Sequence, residues 1–109
     1  MPREALGNLE HQVLLAALRL RGQAYSVSVV LEIERHTQRS PAQSAVFVAL
    51  RRLEEKGLLV SRQDQASGQA GRPRRFFSLS PEGMEVLREM RRSLLGFWDG
   101  IAAELDGVG

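Results

Sequence analysis

The spacing of apolar residues predicts that the chain begins with an amphipathic helix. Apolar side chains recur every three or four positions from Leu6 through residues 9–20, which aligns them on one stripe of a helix. Asn8 has a side chain typical of an N-cap, and Gly22 stands where the apolar pattern ends. We therefore predict a first helix that buries one face.

A second segment, SVSVVLEIERHT from Ser26, fits two kinds of secondary structure. As a helix it buries Val27, Val30 and Leu31 and turns Glu32 to the opposite side. Its many β-branched residues also suit a strand. We interpret the segment as a helix and keep the strand as the alternative.

The third segment, SPAQSAVFVALRRLEEKGLL at residues 40–59, carries the most specific helix signals. Ser40 suits the N-cap, Pro41 suits the first helical position, and Gln43 stands at the spacing of a capping box. Gly57 suits the left-handed residue that follows a helix. These signals predict a helix over about residues 41–56. Its buried face is expected to consist of Val46, Leu50 and Leu53.

The outward face of this third helix is unusual for a surface that meets only water. At helical spacing it carries Gln43, Ser44, Phe47, Val48 and Arg51, with Arg52 beside them. A helix that exposes a phenylalanine and a valine next to two arginines either contacts a partner or leaves apolar surface in water.

Two strands and a final helix complete the pattern. LLVSRQ and RRFFSLS predict a β-hairpin, and the loop between them is rich in glycine and serine. Ser80 is then placed to cap a last helix that Pro81 opens. An apolar seam with heptad spacing follows along that helix, formed by Leu87, Met90, Leu94, Phe97 and Ile101.

The order of these elements predicts the fold class. Three helices followed by a β-hairpin, with about four residues between the second and third helices, are typical of a winged helix-turn-helix. The expected architecture is α+β but mostly α, with a winged-helix DNA-binding domain over residues 1–79 and a C-terminal helix over 80–109. In such a fold the third helix lies in the DNA major groove, which would account for its outward face.

The positive charge of the chain is concentrated in its middle. The net charge is only +2, yet residues 35–75 hold eight arginines and one lysine against three acidic residues. Residues 1–34 and 81–109 are both net negative. Clustered arginines are the electrostatic signature of a phosphate-binding surface, and the alternative is a solvated basic face without a ligand.

The composition also excludes several classes of protein. The 109 residues fit one domain and contain no cysteine, which removes disulfides, thiolate zinc sites and cysteine nucleophiles. His11 and His36 have no third ligand near them, and the acidic residues form no constellation with a nucleophile, so we expect no metal site, no cofactor and no enzyme. No apolar run is long enough to span a membrane and the N-terminus does not resemble a signal peptide, so we expect a cytoplasmic protein.

Two motifs resemble the PadR family of bacterial transcriptional regulators. The first is L-x-R-L-E-x-x-G-L, which begins at Leu50, and the second is G-R-P-R-R-F-F-x-L-S-x-x-G, which begins at Gly71. The resemblance covers nearly the whole chain. Phe47, Phe76 and Phe77 stand where the family usually has tyrosine, so a hydroxyl contact from position 47 to a DNA phosphate is lost.

The resemblance implies a function and an assembly. Members of the family form homodimers through the C-terminal helix and repress transcription by binding a palindromic operator, so residues 80–109 are expected to be a dimerisation helix. Some relatives hold flat aromatic effectors between these helices. The expected partners are therefore double-stranded DNA, a second copy of the chain and a small planar aromatic effector, with no membrane.

Three sets of candidate site residues follow. The residues expected to contact DNA are Gln43, Ser44, Phe47, Val48, Arg51 and Arg52 in the third helix and Arg72, Arg74 and Arg75 in the wing. The residues expected at the dimer interface are Leu87, Met90, Leu94, Phe97, Trp98 and Ile101. Phe97 and Trp98 are also candidates for an effector pocket. Tyr25, just before the second helix, fits either a core position or a DNA contact.

A hypothesis from a different class is a winged-helix module that binds an acidic protein through its basic surface. Such an adaptor more often exposes larger apolar anchors than this third helix does. The polar start of the helix, with Gln43 and Ser44, therefore favours DNA over a protein partner.

Overall fold

A computed structural model describes residues 6–64 and 74–107, and its elements follow the predicted order. The helices are α1 (Asn8–Leu20), α2 (Ser26–Thr37), α3 (Gln43–Glu55), α4 (Pro81–Trp98) and the short α5 (Ala102–Leu105), and the strands are β1 (Leu59–Asp64) and β2 (Arg74–Leu79). The mostly helical winged-helix fold is confirmed.

The core lies between the first three helices and the inner face of the hairpin. The predicted buried face of α3 is confirmed, since Val46, Leu50 and Leu53 are fully buried. From α1 the core receives Val13 and Leu14. From the hairpin, the buried side chain of Phe77 closes the core from the other side.

The buried face of α2 differs from the predicted one. Val29, Glu32 and Ile33 point inwards, whereas Val27 is 38% exposed and Leu31 is 52% exposed. Periodicity placed Glu32 outside because a carboxylate is costly to bury without partners. The structure supplies those partners.

Glu32 ties α2 to α1 and to its own last turn. Its carboxylate accepts a hydrogen bond from Arg19 Nε at 3.0 Å, lies 3.1 Å from Arg35 Nη1 and lies 2.9 Å from His36 Nε2. The hydrogen bond from Arg19 holds the pKa of Glu32 below its ordinary value, against the opposing effect of burial. The cluster stabilises the charged form of a residue that lies inside the fold.

The start of α3 differs from the predicted one. The helix begins at Gln43 with Ala42 as its N-cap, so the predicted capping by Ser40 is wrong. Gln43 sends its side-chain amide to Ser26 Oγ at 3.3 Å instead of back towards Ser40, and the capping box is not formed. The first helix starts similarly, with Gly7 and not Asn8 at the N-cap.

The predicted end of α3 is confirmed. Gly57 has a φ of 79°, a conformation that favours glycine. The N–H of Gly57 donates to the Glu54 carbonyl and the N–H of Leu58 donates to the Leu53 carbonyl, both at 2.9 Å. These two bonds form a Schellman motif, which directs the chain from α3 into β1.

The hairpin gains a third, one-residue strand that the sequence pattern did not reveal. β1 and β2 pair antiparallel, from Leu59 opposite Leu79 at one end. Ala24, between α1 and α2, bridges to Phe77 on the free edge of β2, where the Phe77 N–H donates to the Ala24 carbonyl at 2.8 Å. β2 therefore lies between two neighbours, and the hairpin is fixed to the helices.

The start of α4 is as predicted, since Ser80 Oγ accepts a hydrogen bond from the Gly83 N–H at 3.0 Å. A Cβ added at Gly83 would lie 2.1 Å from the Leu58 carbonyl oxygen, so only glycine fits at this contact. Val86 and Leu87 belong to the common core. Leu87, which was predicted at the dimer interface, therefore lies inside the fold, with 7% of its surface exposed.

α4 ends earlier than its heptad seam predicted. The helix stops at Trp98, and Gly100 has a φ of 85°. Ile101 thus lies in the turn before α5, so the prediction that it continues the helical seam is wrong. No helix within the described ranges has both the length and the hydropathy to cross a bilayer.

Candidate nucleic-acid interface

The outward stripe of α3 is a continuous exposed surface. Phe47 is 49% exposed and Val48 is 46% exposed, with Ser44 one turn before them. The guanidinium of Arg51 lies 6.0 Å from the centre of the Phe47 ring. The fold therefore leaves apolar and cationic groups side by side, on the face opposite the core.

Two residues flank this stripe. On one side Gln43 contacts Ser26 at the start of α2, so the amino ends of α2 and α3 lie together. On the other side Arg52 lines a cleft between α3 and the start of α1, beside Ala45 and Val48. The six predicted side chains of α3 are thus all exposed and cover one broad face of the helix.

The amino end of α3 favours negative charge. Ala42, at the N-cap, has no side-chain acceptor, and the first turn of α3 contains no acidic residue. The backbone N–H groups of a first turn have no partner inside the helix and lie at the positive end of the helix dipole. This end of α3 is therefore suited to a phosphate.

Of the three predicted wing arginines, the two within the described residues point to opposite faces of the hairpin. The guanidinium of Arg74 lies 4.2 Å from the centre of the Tyr25 ring. On the other face Arg75 Nη1 donates to Ser61 Oγ at 2.9 Å. Neighbouring residues of a strand alternate between faces, so this divergence follows from the strand itself. Arg72 lies outside the described residues.

A polar chain connects the wing with the exposed stripe of α3. Ser61, which receives the hydrogen bond from Arg75, donates in turn to the Glu54 carboxylate in α3. The other oxygen of Glu54 lies 3.9 Å from Arg51 Nε. Arg51 and Arg75 are therefore linked through Glu54 and Ser61, neither of which the sequence analysis selected. The signal available in the sequence was the alternation of side chains along β1, which indicates the face on which Ser61 lies.

Arg62 is a further cation of this region that the sequence analysis did not select. Its guanidinium lies 5.1 Å from the centre of the Phe76 ring, opposite it in the hairpin register. It also lies 3.7 Å from Asp64 Oδ2. The outer face of the wing thus carries Arg62 and Arg74 over two aromatic rings.

A second surface, on the other side of the molecule, is apolar. A groove between α1 and α4 is lined by Leu15, Leu18, Leu94 and Leu95, with His11, Arg88 and Arg91 along it. Burial lowers the pKa of His11, which favours its neutral form there. Beyond the groove Phe97 is 86% exposed and Trp98 is 43% exposed.

Metal chemistry finds no support within residues 6–64 and 74–107, where no group of three or more potential ligands comes together. His11 faces the apolar groove and His36 faces Glu32. The two histidines therefore belong to different parts of the fold.

Solved structures of two transcriptional regulators have a similar fold. A PadR family regulator from Eggerthella lenta shares 30% identity, with a TM-score of 0.67 over 85% of this chain and 80% of its own. A PadR family regulator from Clostridium difficile gives a TM-score of 0.70 at 17% identity, over 93% of this chain and 97% of its own.

A third similar structure is that of BpsR from Bordetella bronchiseptica, whose DNA binding is regulated by 6-hydroxynicotinic acid. It shares 24% identity, with a TM-score of 0.65 over 99% of this chain and 77% of its own. A comparison with curated proteins gave no match.

The family assignment comes from the sequence itself. Residues 14–89, from the middle of α1 to the first half of α4, match the transcriptional regulator PadR-like family. That range contains the exposed stripe of α3 and the whole hairpin. The chain therefore belongs to the PadR-like family of transcriptional regulators, which are DNA-binding proteins and not enzymes.

Proposed function

We propose that this protein is a homodimeric repressor that binds a palindromic operator with α3 in the major groove. The observation that carries the proposal is the exposed stripe of α3, which places Ser44, Phe47 and Val48 on the face opposite the core. A folded monomer gains nothing from exposing those apolar groups to water. The groove of B-DNA admits a helix and offers thymine methyl groups to apolar side chains.

The roles within the stripe follow from position along the helix. Gln43 and Ser44 lie in the first turn, which a recognition helix directs towards base edges and phosphates. Phe47 and Val48 are assigned to thymine methyl groups. Arg51 and Arg52 lie one turn further along and are assigned to phosphates, which fix register without reading sequence.

The wing is assigned to the backbone or minor groove beside the half-site. Its candidates are Arg72, Arg74 and Arg75, of which Arg74 and Arg75 lie on opposite faces of the hairpin. Replacing Arg72 and Arg74 together by alanine is expected to weaken binding to every duplex and to flatten the salt dependence, because phosphate contacts release counterions. Unchanged affinity and unchanged salt dependence would remove the wing from the interface.

The dimer is proposed to form through the apolar groove and the second half of α4. The exposed apolar side chains there include Leu94, Leu95 and Phe97, and they continue into Leu15 and Leu18 of α1. A second copy that packs its own α4 into the groove covers this surface on both protomers at once. Two recognition helices are then held about one turn of DNA apart, roughly 34 Å, or a multiple of it.

A flat aromatic effector is proposed to bind at the same end of the molecule. Phe97 and Trp98 expose aromatic surface next to the groove, as stacking on a planar ligand requires. Titration with a panel of planar aromatic cations and acids should quench the fluorescence of Trp98. No quenching below high micromolar concentrations would contradict the effector site and leave the two residues to the dimer.

The first experiment measures binding by fluorescence anisotropy at two salt concentrations. It compares DNA from immediately upstream of the gene for this chain with a scrambled duplex of equal length. We expect about hundredfold tighter binding to the upstream DNA, within the usual range for specific regulators. Addition of the protein to a transcription assay from the same promoter then tests whether it represses or activates transcription. A reduced amount of transcript supports repression.

The opposite result favours the second hypothesis. Equal and weak binding to both duplexes, lost at the higher salt concentration, would mean a non-specific basic surface. The protein-interaction module would then be the better account of the chain. Binding of a DNA operator also implies a cytoplasmic location, and we propose that location together with the function.

A further inference from the structure

We propose that Tyr25 is a positioning residue for DNA binding, because its ring holds the Arg74 guanidinium in place for a backbone phosphate. The inference rests on the proposed function, since it assumes that Arg74 contacts DNA. It assigns a role to an aromatic residue that lies outside both the exposed stripe of α3 and the hairpin.

The one-residue strand at Ala24 explains how the two side chains meet. Ala24 pairs with Phe77 on β2, so Tyr25, the next residue, falls beside Phe76. Side chains of neighbouring strands that share a face contact directly and along the diagonal. Tyr25 therefore lies directly across from Phe76 and diagonally from Arg74, all on the outer face of the wing.

The contacts agree with this register. The ring of Tyr25 meets the Phe76 ring edge to face, with 5.6 Å between centres and an angle of 85° between planes. The guanidinium of Arg74 lies over the Tyr25 ring, 4.2 Å from its centre. This is the closest of the arginine–ring contacts among the described residues, and it falls well within the reach of a cation–π interaction.

The backbone of Tyr25 is itself held on both sides. Its N–H donates to Ser28 Oγ at 3.0 Å, and its carbonyl accepts from the Val29 N–H at 2.9 Å as α2 begins. The preceding carbonyl, of Ala24, accepts from β2. The ring is therefore attached to a hydrogen-bonded junction between α2 and the sheet, and it supports Arg74 at the loop end of β2.

The chemistry of a guanidinium makes this arrangement useful for binding. An arginine that stacks on a ring uses its flat face, while its N–H donors project from the edge and remain free for a phosphate. A long side chain that is already ordered loses less conformational entropy when it binds. Tyr25 thus prepares the contact without touching DNA.

The position of the stack also fits the duplex. Ser26, the residue after Tyr25, accepts a hydrogen bond from Gln43, the first residue of the recognition helix. Tyr25 therefore joins the outer face of the hairpin to the amino ends of α2 and α3, which are the helix ends suited to phosphates. One strand of DNA backbone passing these helix ends would next meet Arg74.

The test is a double-mutant cycle on DNA affinity with Tyr25→Leu, Arg74→Ala and their combination, plus Tyr25→Phe. We expect Tyr25→Leu to weaken binding to the upstream duplex about three- to tenfold, and Arg74→Ala to weaken it by at least that factor, because Tyr25→Leu leaves the Arg74 charge in place. The combination should weaken binding no further. Tyr25→Phe keeps the ring and should bind as tightly as the natural protein.

Three outcomes would overturn the assignment. Natural affinity in Tyr25→Leu would show that the ring is not needed, and multiplied losses in the combination would show that the two side chains act separately. A loss in Tyr25→Phe equal to that in Tyr25→Leu would assign the effect to a direct contact by the hydroxyl. Thermal melting of each variant identifies any loss that comes from unfolding, and Tyr25→Phe retains the packing.

Arg75 supplies a matched control in the same strand. It carries the same charge but lies on the other face, held by Ser61. Tyr25→Leu combined with Arg75→Ala should therefore show independent effects. Coupling of equal size for Arg74 and Arg75 would contradict a specific stack.

A measurement without DNA separates this inference from the proposed function. In the free protein the ring current of Tyr25 should shift the Arg74 Hδ resonances upfield, and the shift should vanish in Tyr25→Leu and persist in Tyr25→Phe. If the natural protein shows the shift but binds neither duplex, both proposals fail. If it binds and Arg74→Ala weakens binding while Tyr25→Leu does not, only the role of Tyr25 fails.

Discussion

The two halves of α4 differ in how they are held. The first half is fixed by Ser80 and Gly83 against the chain leaving α3, and Val86 and Leu87 enter the core. From Arg91 to the end of the helix every residue is exposed. The first half of α4 therefore completes the core, whereas the second half exposes the apolar surface that we propose a second copy covers.

From this contrast we expect that substitutions can separate the folding of the chain from its proposed assembly. The buried groups of the first half have their partners inside the protomer, so substitutions there should lower the free energy of unfolding. The exposed side chains of the second half have few contacts to lose in a monomer. Substitutions there should change the assembly and leave the fold of the winged helix intact.

The largest effect is expected at Gly83. Gly83→Ala should lower the free energy of unfolding by about 3 kcal/mol, because the new Cβ meets the Leu58 carbonyl oxygen at 2.1 Å. Chemical denaturation measures the change. The matched control is Gly96→Ala in the second half, where a Cβ meets nothing within 4 Å and better helix propensity adds up to about 1 kcal/mol. Equal changes in the free energy of unfolding for Gly83→Ala and Gly96→Ala would contradict the difference between the two halves of α4.

The next effect concerns assembly. Replacing Leu94 and Phe97 together by glutamine should weaken the dimer by about 2 kcal/mol or more, because both expose large apolar surface that a second copy is proposed to cover. Sedimentation velocity across a dilution series measures the dissociation constant. The circular dichroism of the winged helix should be unchanged. A double variant that remains dimeric at every dilution would place the interface elsewhere.

A smaller loss is expected at the N-cap of α4. Ser80 Oγ accepts from the Gly83 N–H at 3.0 Å and donates to the Gly57 carbonyl at 2.6 Å. Ser80→Ala should therefore lower the free energy of unfolding by about 1 kcal/mol. Ser80→Thr retains an oxygen and serves as the control. If Ser80→Thr and Ser80→Ala lose the same amount, the hydroxyl is not the cause.

The smallest expected effect is the change in the free energy of unfolding with pH that Glu32 causes. Because the folded pKa of Glu32 is lowered, its contribution to stability is present above the unfolded pKa, about 4.3, and is lost as pH falls through the folded value. Urea unfolding of the natural protein and of Glu32→Gln between neutral and acid pH measures this contribution. The difference between the two should shrink as pH falls, and a constant difference would contradict it.

The sequence was most informative where local chemistry decides the structure. Gly57 needs a left-handed conformation and Ser80 needs a nearby N–H, and both requirements are met within a few residues. The exposed stripe of α3 also follows from periodicity, because Val46, Leu50 and Leu53 determine which side faces the core. The order of elements and the family resemblance then gave the winged helix.

The sequence was less informative where distant residues decide. Glu32 was placed outside because its partner Arg19 belongs to another helix, and no pattern within α2 reveals that pairing. Ala24 forms a strand of one residue, which is too short for any alternation to detect. The stop at Trp98 was missed because heptad spacing continues to Ile101 through a glycine that the backbone uses for a turn.

The candidate site shows the same division. The members of the α3 stripe were predictable because they share one helix. The links from Arg75 through Ser61 to Glu54, and from Arg74 to Tyr25, join residues far apart in the chain. Such contacts depend on the sheet register, which the sequence does not state.

The pair Phe76–Phe77 has a consequence for how the hairpin chooses its register. A slip of β2 by one residue exchanges the faces of all its side chains, yet it would still place a phenylalanine in the core. Hydrophobicity at these two positions therefore does little to penalise the misaligned hairpin. The penalty falls instead on Leu79, which would give way to Ser78, and on the hydrogen bond from Phe77 to Ala24. The pairing of Ala24 with Phe77 therefore stabilises the correct register of the hairpin relative to one shifted by a single residue.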